Sequence, residues 1–120
     1  MKIIVAGGRD FYNLDVIDKV LTENVKEEDS IISGDANGAD MLGVSWAALN
    51  SVPVYHFPAN WGKNGKAAGY IRNAEMAKVG DALIAFWNGK SKGTKHMIET
   101  MKKSGKPYKV FDYKGKEIDI

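Results

Sequence analysis

The sequence predicts a Rossmann-like three-layer α/β fold, a five-stranded parallel sheet in the order 3-2-1-4-5 with helices on both faces. Five short apolar runs rich in β-branched or aromatic residues recur along the chain, and four segments of helical length separate them. The turns that lead from strand to helix are rich in glycine and small polar residues. Strict alternation of strand and helix calls for right-handed crossovers, which produce a parallel sheet covered on both sides.

The strands are expected at Lys2 to Ala6, Ser30 to Ser33, Val52 to Phe57, Ala82 to Trp87 and Tyr108 to Asp112. The helices are expected at about Asn13 to Asn24, Ala39 to Asn50, Ala67 to Val79 and Thr94 to Ser104. In the first helix Leu14, Ile17, Val20 and Leu21 recur at steps of three to four and form one apolar stripe. Trp46 on the second helix, beside Met41, Leu42 and Leu49, is expected in the core, with a contact to a second copy of the chain as the alternative. The final stretch, Lys114 to Ile120, either turns back as a small edge strand or frays.

With 120 residues the chain fits one domain, expected to span 1–120, and leaves no room for a second core. Apolar residues at 44% and charged residues at 27% are a globular composition. A net charge of +2 is too small for the electrostatic footprint of a DNA-coating protein. Without cysteine, a disulfide, a thiolate metal site and a cysteine nucleophile are all excluded. The apolar run at Met1 to Ala6 is too short for a signal segment, and no run approaches membrane-spanning length, so a soluble protein of the cytoplasm is expected, with no membrane partner.

In open parallel sheets ligands settle beyond the carboxyl ends of the strands, where the strand order reverses. The first such turn reads Gly7-Gly8-Arg9-Asp10. Its glycines let backbone amides approach an anion, and Arg9 offers a fork of donors to phosphate. The alternative is a plain tight turn, with Arg9 in solvent and Asp10 or Asn13 capping the helix. The dinucleotide fingerprint G-x-G-x-x-G is absent.

The second turn, Ser33 to Asp40, opens a helix whose amino-terminal N–H groups and positive dipole end favour an anion, with Ser33, Gly34 and Gly38 placed to hold phosphate or ribose. Asp35 and Asp40 would repel phosphate. They fit better as helix caps, as partners that orient Arg9 or Arg72, or as acceptors for ribose hydroxyls. The third turn, Phe57 to Lys66, carries Trp61 among glycines and lysines, free to stack on a base, to cover a pocket or to anchor its own loop. Arg72, one position past Ile71 on the next helix, either lines the cleft or reaches into solvent.

The fourth turn runs from Phe86 to Thr94 and offers the hydroxyls of Ser91 and Thr94 and the open backbone of Gly93 at another helix start, with Thr94 as the expected N-cap. His56 and His96 stand apart from each other and from carboxylates at metal-ligand spacing, so no metal site is expected. Ser33 lacks the G-x-S-x-G elbow of a hydrolase nucleophile.

Taken together, Gly7-Gly8-Arg9, Ser33-Gly34-x-Ala36-x-Gly38-Ala39-Asp40, Pro58-Ala59-x-Trp61, Arg72-Asn73-x-x-Met76 and Asn88-Gly89-x-Ser91-x-Gly93-Thr94 resemble the SLOG superfamily, and most closely its small stand-alone YspA-like branch. The resemblance runs from Met1 to about Phe111. It implies a Rossmann-like domain with a pocket for nucleotides or nucleotide-derived signals, bound by Gly7, Gly8, Arg9, Ser33, Gly34, Asp35, Gly38, Trp61, Arg72, Asn73, Gly89, Ser91, Gly93 and Thr94. Relatives in the wider group include the Lonely Guy enzymes, which cleave the N-glycosidic bond of nucleoside monophosphates, and DNA-processing protein A, which binds single-stranded DNA.

The Lonely Guy enzymes carry P-G-G-x-G-T-x-x-E and R-K-x-x-M segments. Arg72-Asn73-x-x-Met76 is similar to the second and Gly93-Thr94 to part of the first, whereas the glutamate falls on Met97. Glycosidic cleavage passes through oxocarbenium-like charge that a carboxylate stabilises. An enzyme built on this chain would therefore use Arg72 with Asp40, or with Asp35, Glu75 or Glu99, in that place. The leading expectation is a module that binds a nucleotide-like ligand and requires no cofactor. A phosphoribohydrolase is second, and a single-stranded nucleic-acid binder using Trp61, Lys63 and Lys66 is third. Self-association and a cellular or phage setting stay open at this point.

Overall fold

The protein is described here by a computed structural model covering residues 1–120. Six strands form one sheet: β1 (Lys2–Gly7), β2 (Ser30–Ser33), β3 (Val54–His56), β4 (Ala82–Phe86), β5 (Tyr108–Phe111) and β6 (Glu117–Ile118). Their order is β3-β2-β1-β4-β5-β6. The first five are parallel in the expected order, and β6 adds an antiparallel edge, Val110 facing Ile118. The carboxyl-terminal stretch thus returns as a strand, through a turn in which Asp112 accepts from the amides of Lys114 and Lys116, both at 2.9 Å.

The helices are α1 (Leu14–Asn24), α2 (Ala39–Leu49), α3 (Trp61–Asn64), α4 (Ala68–Val79) and α5 (Lys92–Lys103). The chain runs from β1 through β2 to β3 in one direction along the sheet, then jumps back over β1 to β4 and β5. Right-handed crossovers in opposite directions place their helices on opposite faces. Accordingly Val16, Ile17, Val20 and Leu21 of α1 and Trp46 and Ala47 of α2 pack with Ile3, Val5 and Ile31. On the other face Met76 and Ala77 of α4 and Met97, Ile98 and Met101 of α5 pack with Ile4, Ala6, Ile32 and Leu83. Residues 3 and 5 face one layer and 4 and 6 the other, as the period-two pleat requires.

Several boundaries differ from expectation for local reasons. Leu14 is 62% exposed and leaves the apolar stripe, because it is the first helical residue and Val16 takes the buried position. Asn13, one of the two expected caps, accepts from the Val16 amide at 3.2 Å. The third strand is only three residues long. Pro53 has no amide to donate, although its carbonyl accepts from Ile31 at 2.9 Å. The Phe57 to Lys66 segment is not a plain loop: Asn60 caps α3 by accepting from Lys63 at 3.0 Å, and a 3₁₀ turn at Gly65–Ala67 leads into α4. At α5 the cap is Ser91 rather than Thr94, whose amide donates to Ser91 Oγ at 3.3 Å.

Trp46 is buried, and its indole N–H donates to Asp18 on α1 at 3.2 Å. Leu49 lies three residues further along α2 and is 86% exposed. No helix is long and apolar enough to cross a membrane.

Candidate functional site

The sheet reverses its order between β1 and β4, and a cavity of about 220 Å³ opens above their carboxyl ends. Ala6 and Gly7 form its floor at the end of β1. Arg72, Asn73 and Met76 enter from α4, and Ser91, Gly93, Thr94 and Met97 from the start of α5. Arg9, Trp61 and Tyr70 stand on the open side. Four distant stretches of sequence meet here because the reversal splays apart the loops that follow β1 and β4, as in other doubly wound sheets.

The amino end of α5 is the part best prepared for an anion. Ser91 Oγ is 3.0 Å from Thr94 Oγ1, and the first intrahelical bond runs from Lys95 N to Ser91 O at 3.1 Å. The amides of Lys92 and Gly93 precede that bond and are among those a helix start leaves for outside acceptors. A Cβ built on Gly93 meets nothing within 4 Å. Trp87 holds this turn in place, its indole N–H donating to the Ser91 carbonyl at 3.0 Å.

Arg72 is tied on both sides. Its Nη1 donates to the Gly34 carbonyl at 2.7 Å and its Nε to Asn73 Oδ1 at 3.0 Å. Asn73 is buried, and its amide donates to the Gly93 carbonyl at 3.2 Å and faces His96 Nδ1 at the same distance. One hydrogen-bonded chain therefore links the β2 turn, Arg72 and the α5 start. Neither Arg72 nor Arg9 takes part in an ion pair. Arg9 lies over the Trp61 ring at 5.8 Å, and Trp61 itself is 51% exposed.

Asp40 is the buried carboxyl of the site. Burial pushes it up from 3.8 to about 6, against the opposing pull of the Arg72 charge and of the Ala36 amide, which donates to Asp40 Oδ2 at 3.3 Å. The same burial lowers Arg72, with Asp40 opposing. At neutral pH such a carboxyl is mostly ionised but lies close enough to its midpoint to exchange a proton with a ligand.

Of the other expected residues, some shape the site without lining the cavity. Ser33 is fully buried: its Oγ accepts from the Asp35 amide at 3.1 Å and donates to the Asp40 carbonyl at 3.4 Å. The Gly8 carbonyl accepts from Phe11 and from Ala39, which fastens the β1 turn to the start of α2. Gly38 has φ +80°, and a side chain there would run into the Gly8 carbonyl and the Arg9 backbone. Gly34 and Asp35 line a neighbouring groove, and Gly89 lies in the turn before α5, outside both hollows.

Sequence reasoning missed two histidine environments. His56 Nδ1 lies 2.8 Å from Asp35 Oδ1, a pairing created by the parallel register that sets Ser33 beside His56. His96 sits behind Asn73 and against Tyr70, with ring centres 4.6 Å apart, and burial lowers its pKa. Neither partner is near its histidine in sequence, so only the spacing along a helix, Asn73 to Met76 or Gly93 to Met97, hinted at a shared wall. No three His, Asp or Glu side chains stand together as a metal site would require.

Residues 1–63 match the model of the YspA, cpYpsA-related SLOG family. That stretch holds the β1 and β2 turns and Trp61, and ends before Arg72 and the α5 turn. The chain is also similar to the Gene 61 protein of Mycobacterium phage D29, 38% identical over an 84-residue alignment that covers 64% of this chain and 66% of that protein. The match thus spans slightly less than two thirds of either chain.

Proposed function

The chain belongs to the YspA, cpYpsA-related SLOG family, and on that premise we propose that it binds a nucleotide or nucleotide-derived ligand in the cavity between β1 and β4. The phosphate would sit at the Lys92 and Gly93 amides and be paired by Arg72. Trp61 and Tyr70 would flank the base or ribose. The observation that carries this reading is the convergence on one cavity of an open helix start, two guanidiniums that make no ion-pair contact and an exposed aromatic ring. Anion, cation and ring contacts of these kinds are what a nucleoside phosphate requires.

The test is a thermal-shift and calorimetric screen against mono-, di- and cyclic nucleotides, repeated on two variants. Arg72→Ala removes a charged donor and should weaken a phosphorylated ligand about 10- to 100-fold. Gly93→Asp fits the open space at that position, so its folding stability should hold while affinity for the anion falls at least as far. Unchanged affinity in both variants would remove this site.

Asp40 favours a second reading, a nucleoside-monophosphate N-glycosidase of the phosphoribohydrolase kind. A carboxyl raised to about 6 and lining the cavity beside Arg72 is poised to donate or accept a proton. Against it, Met97 puts an apolar wall where the Lonely Guy enzymes carry glutamate. Release of free base from a bound nucleotide, lost in Asp40→Asn, would establish this reading. Recovery of the ligand intact would leave a sensor or sequestering module.

A further inference from the structure

Beside the cavity lies a groove of about 270 Å³, lined by Gly34, Asp35, Asn37, Pro58 and Ala59. Arg9, Ala36, Trp61 and Arg72 line both hollows and so form the junction between them. Taken alone, each falls below the roughly 300–1,000 Å³ usual for small-molecule sites, whereas the two joined fall within it. Both guanidiniums of the site therefore stand at the middle of a longer binding surface rather than at one end.

The two lobes differ in chemistry. The cavity carries the α5 helix start, the Met76 and Met97 side chains and the Tyr70 ring, which suit a nucleoside phosphate. The groove is polar and carries no such apolar wall. Asp35 accepts from His56 Nδ1 through Oδ1 only, which leaves Oδ2 for a hydroxyl, and Asn37 is exposed at the rim. At the junction Arg72, lowered first by burial and held up by the Asp40 charge, is also within reach of the Arg9 charge, and neither guanidinium makes an ion-pair contact. Asp40 and Asp35 offset the Arg72 charge from beyond contact distance, and an anion bound directly across the two guanidiniums would relieve their mutual repulsion further.

We propose that the ligand is a nucleoside diphosphate conjugate, with its nucleoside in the cavity, its pyrophosphate across Arg9 and Arg72, and a hydroxyl-rich group such as a sugar in the groove. Trp61, under Arg9, forms the waist over which the pyrophosphate passes. This rests on the nucleotide-binding reading above and extends it from one lobe to two.

The experiment is calorimetric titration of the full chain with three matched series: AMP, ADP and ADP-ribose; GMP, GDP and GDP-mannose; UMP, UDP and UDP-glucose. For the preferred base the conjugate should bind at least ten times more tightly than the diphosphate. Ala59→Trp and Asn37→Trp, which fill the groove and not the cavity, should abolish that gain while the monophosphate affinity stays within about twofold. Asn37 is exposed, so its variant tests the groove even where Ala59→Trp folds poorly. Conjugates no tighter than diphosphates, or a gain that survives both variants, would overturn the two-lobed ligand and leave the cavity reading intact. No binding by any member of the three series would overturn both.

Discussion

Gly34 and Arg72 lie 38 residues apart and are joined by a 2.7 Å hydrogen bond from the guanidinium to the glycine carbonyl. A Cβ at Gly34 would collide with Arg72 Nη1 and stand 2.9 Å from Asp40 Oδ2. Gly34→Ala should therefore displace the arginine, whose flexible side chain yields more easily than the backbone. The expected result is a folded protein, less stable by about 1–3 kcal/mol, that binds its phosphorylated ligand roughly tenfold more weakly by calorimetry. Full affinity in this variant would show that the position of Arg72 does not matter for binding.

Gly38 answers to a different constraint. Its φ of +80° with ψ of −127° is a region that side chains avoid, and the atoms a Cβ would meet are backbone atoms of Gly8 and Arg9. Nothing there swings aside. Gly38→Ala should lower stability by about 1–3 kcal/mol, read as a shift of the urea midpoint with an unchanged slope. A midpoint equal to the parent's would mean that the two turns are not locked together as described.

Asp40 predicts a pH dependence with a definite sign. Its folded-state value is about 6 against 3.8 in an open chain, and Arg72 and Asp35 are the charges that face it. Between these values the folded state keeps a proton that the unfolded state has released, so stability from this group falls as pH rises through that window and is flat above it. At about 1.4 kcal/mol per unit the loss approaches 3 kcal/mol. In Asp40→Asn, which retains an acceptor for the Ala36 amide, this slope should vanish and stability at pH 7 should rise. Denaturation curves of both proteins at pH 4, 5, 6 and 7 measure the difference directly. Parallel curves would sink the argument.

Trp46 tests the other face of the sheet. It fills the layer between α1 and α2 and donates to Asp18 at 3.2 Å. Trp46→Phe keeps an aromatic ring but loses the indole N–H and part of the buried volume. A loss of about 1–3 kcal/mol is expected, with ligand affinity unaltered because the residue lies on the layer opposite the cavity. A change in affinity without a change in stability would contradict this placement.

Much of the architecture was legible because it depends on short-range rules. The apolar runs at Lys2 to Ala6 and Ala82 to Trp87 are buried on both faces and so read as continuous hydrophobic strands. Alternation of strand and helix then fixes handedness and confines the strand order to few choices. The glycine-rich turns were legible as well, and those of β1 and β4 do border the cavity. The α3 turn was harder to see, because Gly62 and Gly65 obscure a helix whose signal is the single Asn60 cap.

By itself, then, the chain determined its periodicities, its caps and the turns that flank the strands, since each is a property of neighbours within a few residues. Only the tertiary structure decided what those turns would meet. Ser33 and Gly38 carry the residue types of an anion site, yet are spent on holding β2 and α2 to the β1 turn. Asn73 reaches Gly93 because α4 and α5 lie side by side on one face of the sheet, and Arg72 crosses from α4 to Gly34 in the turn after β2. His56 finds Asp35 through strand register alone. Register, layer assignment and desolvation are set by the whole packed core, and the raised pKa of Asp40 is their sum at one buried carboxyl.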